Sequence, residues 1–229
     1  MAQLVIQPAA AAGQDTYVNQ YAPDTEYATG VFINISGYSG GRKRGLLKFD
    51  LSGIPAGATI TGAAFVGWSS TTSDGTLTFA RILAANSGWT EAATWNYADG
   101  ASIRWAGDVG ADGGADAGCY VSGTDHSATP LATFSWVGES PPKENTVAFD
   151  LTEFGLMWAN NYGFVVWEAA GSVATKGFYA SDHATASLRP RLVIDYTEPV
   201  AGRVGIYGRR SAIALPGGVS IRAHSGVNL

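Results

Sequence analysis

The stretch from Arg42 to Ile60, RKRGLLKFDLSGIPAGATI, constrains this chain more than any other. Leu47 and Phe49 alternate with Lys48 and Asp50, the period of a strand with one buried face. Ser52-Gly53-Ile54-Pro55 then turns the chain and Thr59-Ile60 starts another strand. Strand, turn and return strand are expected to seed an antiparallel sheet.

Further short apolar segments lie between turn signals along the chain. Strands are expected at Leu4–Ile6, Asp15–Val18, Val31–Ile35, Ala63–Trp68, Leu77–Leu83, Val147–Asp150, Phe164–Trp167, Gly177–Tyr179 and Arg191–Tyr196. The polar run SSTTSDG predicts a hairpin joining the Ala63 and Leu77 strands. Residues 86–143, dense in Gly, Ala, Ser and Asp, are too long for one plain loop and are expected to hold a few short strands. Leu151–Asn160 is the one expected helix, with Leu151, Phe154 and Trp158 on one face. Short strands with turns between them and no βαβ rhythm predict an all-β antiparallel β-sandwich of jelly-roll type. The predicted sandwich spans residues 1–198, and a C-terminal arm spans 199–229.

Composition fits that class. Thirty glycines and 14% charged residues indicate many turns and few surface helices, and 46% apolar residues suffice for a core. The net charge of −5 argues against nucleic acid as a partner. It divides unevenly: every acidic residue precedes Pro199, while Arg203, Arg209, Arg210 and Arg222 follow it. The single cysteine, Cys119, leaves no internal disulfide. The N-terminal residues lack the basic region and apolar core of a signal peptide. No run approaches the ~18 apolar residues of a membrane span. A soluble chain is expected, made without Sec export or as the mature form of something longer.

Six segments in order resemble the DNRLRE family of β-sandwich domains, which is grouped with carbohydrate-binding modules. They are DTYV at Asp15, KRGLLKFDLSGIPAGATI at Lys43, WTEAATWN at Trp89, FDLTEFGLMW at Phe149, NYGFVVW at Asn161 and ASDHATASLRPRLVIDY at Ala180. The turn before the third strand reads Glu26-Tyr27-Ala28, where the family carries Asn-aromatic-Gly. The resemblance implies a non-catalytic domain of a kind found on polysaccharide-active enzymes, cell-surface proteins and phage virions, some members binding acidic polysaccharide. It also implies that Trp89, Glu91, Thr94 and Trp95 lock a corner of the sandwich.

Candidate sites follow from residue chemistry. Arg42, Lys43, Arg44 and Lys48 are the basic cluster of the acidic body, and arginines suit uronate or sulfate groups. Alternation puts Arg42, Arg44 and Leu46 on one strand face and Lys43 and Gly45 on the other; a charged strand end that discourages edge pairing is the competing role. Trp136, followed by two prolines, is a candidate sugar platform as well as a core residue. Asp108, Asp112 and Asp116, every four residues in a glycine loop, could hold structural Ca²⁺, although the spacing is not that of a dedicated calcium loop. No other cofactor is indicated. Asp125-His126 and Asp182-His183 are poor dyads because strand neighbours point apart. No catalytic motif appears, and the chain is expected not to be an enzyme.

The arm carries Arg203, Ile206, Tyr207, Arg209, Arg210, Ile213, Leu215 and Ile221 and no acid. It is expected to anchor the domain to other virion proteins or to copies of itself. The leading expectation is a non-enzymatic virion surface protein, a bacteriophage decoration or tail accessory protein with a role in glycan attachment. The alternative is a carbohydrate-binding module of a secreted or cell-surface polysaccharide-processing system. A glycan-cleaving enzyme is a third reading.

Overall fold

The computed structural model describes residues 1–9, 13–110, 113–168 and 173–199. Its strands are β1 (Ala2–Ile6), β2 (Gln14–Asn19), β3 (Phe32–Ile35), β4 (Lys43–Lys48), β5 (Thr59–Trp68), β6 (Gly75–Arg81), β7 (Ala132–Trp136), β8 (Glu144–Ala148), β9 (Phe164–Glu168), β10 (Lys176–Tyr179) and β11 (Arg191–Thr197). All pair antiparallel. One sheet runs β1-β11-β5-β8, a second β2-β4-β9-β6-β7, and β10-β3 forms a short pair at the side. The all-β sandwich read from the sequence is the observed architecture.

Its connectivity differs from the expected hairpins. β4 and β5, the two strands of the Arg42–Ile60 stretch, lie in different sheets, and so do β5 and β6 on either side of SSTTSDG. Both turns carry the chain across the sandwich instead of folding it back on a neighbour. Each of these strands has an apolar face, and placing successive strands in opposite sheets turns those faces towards each other. Residues 86–143 also differ from expectation: β7 is the one named strand that falls wholly within them, and otherwise they hold isolated bridges such as Tyr97 with Arg104.

The inner core lies between the sheets. Phe49, Phe65, Phe79, Phe149, Phe164 and Phe178 are buried there with Leu47, Val147, Leu192 and Ile194. Phe65 meets Phe79 at 5.5 Å, Phe164 at 5.8 Å and Phe178 at 5.3 Å between ring centroids. Gly45 is needed where β3 passes β4, since a Cβ there would stand 2.6 Å from the Ile33 Cγ2. The helix α1, Leu151–Ala159, closes one end, and the Asp150 side chain caps it by accepting from the Glu153 N–H. Phe154 and Met157 face the core with Trp158 half-buried, whereas Leu151 is exposed. No described helix is long and apolar enough to cross a membrane.

Asp15 in the DTYV segment is a joint between distant pieces. Its carboxylate accepts from the Ser181 N–H (2.9 Å) and Oγ (3.0 Å), and its own N–H donates to Glu91 (3.1 Å). Burial pushes its pKa up to about 6, against the hydrogen bonds from Ser181.

Candidate functional site

The five-stranded sheet has a second apolar face, and that face positions the site. Side chains alternate along each strand, so Leu47 points inward while Leu46 points outward, and Phe164 and Val166 point inward while Val165 points outward. The described residues of 86–130 lie over this outer face and supply Trp89, Trp95, Trp105, Ala93, Ala98, Ala117 and Cys119 to a separate outer core with Val18, Leu46, Ile82 and Val165. The WTEAATWN segment therefore locks a layer built on the sheet. The Trp89 Nε1–H donates to the Tyr162 carbonyl at 2.6 Å, and Glu91 accepts from β2.

Asp125 organises the rest of that layer. It is fully buried and accepts from the Asn86 Nδ2 (2.9 Å), the Gly107 N–H (2.8 Å) and the Val121 N–H (2.8 Å). Gly118 and Cys119 then both take left-handed backbone, φ 72° and 58°, an uncommon conformation for a residue other than glycine. This turn brings Tyr120 over the sheet.

Between the layer and the sheet lies a cleft of about 480 Å³, within the range of small-ligand sites. Arg44, Thr78 and Trp167 form its floor from β4, β6 and β9, while Asp116, Tyr120, His126, Ser127 and Pro130 line it from the layer. A smaller recess of about 80 Å³ shares Arg44, Tyr120 and Trp167 and adds Arg42 and Ser36.

Arg44 is the centre of charge. It is 4% exposed, its guanidinium carbon lies 4.1 Å from the Tyr120 ring centroid and 5.4 Å from that of Trp95, and Nη1 donates to the Gly118 carbonyl at 3.2 Å. Burial pushes its pKa down to about 9, which leaves it charged at neutral pH. Among the described residues no carboxylate forms an ion pair with it. The buried ammonium of Lys176, by contrast, is paired with Glu168 at 2.6 Å. An unpaired buried cation between aromatic walls is suited to an anionic group on a flat, partly apolar ligand.

The expected site residues divide. Arg42 and Arg44 come together on Tyr120, Arg42 at 5.2 Å from its ring. Lys43, one residue out of phase, lines neither cavity. Trp136 is corrected: at 1% exposure it is enclosed in the inner core, 5.5 Å from Phe178, and offers no platform. Its position on β7 puts it on the inward face with the phenylalanines. Asp108 is held by Arg104 at 2.8 Å, Asp116 lines the cleft, and Asp112 lies outside the described residues. No group of three or more acidic, His or Cys side chains among the described residues could hold a metal. The arm residues Arg203, Ile206, Tyr207, Arg209, Arg210, Ile213, Leu215 and Ile221 also lie outside the described residues.

Sequence reasoning singled out neither Tyr120, Thr78 nor Ser127 for binding. Trp167 was legible in principle, since alternation with Phe164 and Val166 sends it outward. Nothing periodic marks Tyr120 or His126, which sit in a layer without strands.

The family model of carbohydrate-binding module family 96 matches residues 7–155. The chain belongs to that family. No curated protein matches it. The match runs from just after β1 into α1, and so includes Arg44 and the whole 86–131 layer. A carbohydrate-binding module implies glycan binding, so the family supports the alternative reached from sequence over the leading virion reading. The virion reading gave the arm an anchoring role, and of the arm the structure describes Pro199 alone. Family 96 is a family of carbohydrate-binding modules.

Proposed function

We propose that this chain is a glycan-binding module of a secreted or cell-surface polysaccharide-processing system, and that it holds an acidic sugar in the cleft over the five-stranded sheet. The observation that carries this is Arg44, a buried charged guanidinium with no carboxylate partner among the described residues, opening between Tyr120 and Trp167. A pyranose ring presents an apolar face that stacks on aromatic rings, and a uronate or sulfate substituent takes charge-assisted hydrogen bonds from arginine. Arg42, on the same Tyr120 and lining the smaller recess, extends the cationic surface for a neighbouring substituent.

The test is calorimetric titration of the full chain with a galacturonic acid oligosaccharide, a sulfated galactan and a neutral galactan. Saturable binding to an acidic glycan is expected, weakening with added salt. Trp167→Ala is expected to weaken it about tenfold or more, and Arg42→Ala by less. Flat titrations across acidic and neutral glycans alike would overturn the reading.

A further inference from the structure

His126 stands behind both aromatic walls of the cleft. Its ring lies 4.7 Å from the Trp167 ring, and it is 5% exposed. Both ring nitrogens meet carbonyl oxygens: Nδ1 is 3.0 Å from the Ser127 carbonyl and Nε2 is 3.1 Å from the Tyr120 carbonyl. A carbonyl only accepts, and a neutral imidazole carries one N–H. In the neutral form one of these two contacts therefore sets a lone pair against a carbonyl oxygen. The imidazolium donates to both.

We propose that His126 is the positioning residue of the cleft: protonation fastens the Tyr120 backbone and the Trp167 ring together and adds a second positive charge beside Arg44, so that acidic glycans bind more tightly as pH falls. This rests on the glycan-binding reading of the cleft. His126 acts through Tyr120 and Trp167, since both its nitrogens are already engaged within the protein.

The surroundings set the opposing forces. Burial disfavours the charged ring most and holds its pKa below the ordinary histidine value, while the two carbonyls favour the proton. Arg44 from β4 opposes protonation and Asp125 beside it in the chain favours it. Asp116 and Tyr120 line the same cleft, whereas β6 and β9 present the uncharged Thr78 and Trp167. The Arg81–Glu153 pair lies beyond Ser127, whose Oγ donates to Glu153. The neutral ring is therefore the resting form near pH 7, and the switch lies on the acid side.

The experiment uses the full chain and a His126→Gln variant. The sulfated galactan keeps its own charge across the pH range, so any slope belongs to the protein. The wild type is expected to bind it about fivefold more tightly at pH 5.5 than at pH 7.5, and His126→Gln is expected to lose that slope. A variant that keeps the wild-type slope overturns the proposal and leaves the glycan-binding reading standing. NMR titration of the ligand-free chain decides independently of any glycan. The Trp167 indole resonance is expected to follow the His126 ring with one shared midpoint. An indole that ignores that midpoint overturns the proposal even where no glycan binds, an outcome that would separately overturn the glycan reading.

Discussion

The molecule has two cores, and they are built by opposite means. The inner one is closed by strands and filled with phenylalanine and aliphatic side chains. Its backbone polar groups are paired along the sheets, so its side chains need no polar atoms. The outer one is closed by residues 86–131, whose strand pairing, among the described residues, is confined to isolated bridges. Its backbone must therefore be satisfied piecemeal, and polar side chains do so. Trp95 Nε1 donates to the Gly114 carbonyl at 2.8 Å and Trp105 Nε1 to the Thr94 carbonyl at 3.0 Å. Asn96 accepts from the Gly113 N–H at 2.7 Å, and Asp125 takes its three donors. On the inner face the buried charge is paired, Lys176 with Glu168 at 2.6 Å. The loop-built layer tolerates a buried arginine and leaves the cleft open, which is why the proposed binding chemistry is assigned there.

The largest expected effect breaks the shared foundation. Phe65→Ala removes a ring that touches four other phenylalanines and is expected to cost about 4 kcal/mol in denaturant unfolding. Amide exchange should quicken in both cores, because the outer layer rests on the same sheet. Protection surviving in residues 86–131 would show that the layer holds itself together.

The joint between the two regions is next, and it is tested by pH. Asp15 titrates at about 6 in the folded chain against 3.8 as its ordinary value, so the folded state binds more protons between those values. Its contribution is therefore fully present below pH 3.8 and is lost as pH rises through 6, a change of up to about 3 kcal/mol. Glu91, also raised by burial, acts in the same direction. Comparing unfolding of the wild type and Asp15→Asn from pH 4 to 7 checks this. The variant should show the shallower fall, and equal slopes would mean Asp15 is solvated.

The smallest effect should separate the cores. Asp125→Ala leaves buried donors without their acceptor and is expected to cost about 2 kcal/mol. Exchange should quicken in 86–131 while the inner strands stay protected, and glycan affinity should fall with the loosened cleft. Uniform loss of protection would mean that the two cores unfold as one.

Much of the fold was legible because alternation is a local property. The strands at Leu4, Asp15, Val31, Arg191 and the Lys43 segment all appear where short apolar segments between turns placed them, and the helix after Asp150 begins at its cap. Alternation also says which side chains share a face, and hence that Arg42 and Arg44 travel together while Lys43 does not. It cannot say which strand lies alongside. The hairpins expected after Phe49 and Trp68 are crossings between sheets, since a turn of given composition serves either route.

The sequence by itself determined the sandwich class, the strand faces and the grouping with carbohydrate-binding modules, because each is carried by short local segments. Only the tertiary structure decided that β4 has two buried faces, that Trp136 belongs to one core and Trp167 to the rim of the other, and that Arg44, Tyr120 and His126 share a cleft. Those facts depend on which distant segment lies on which side of the sheet. Residues 86–131 have no period from which that side could be read.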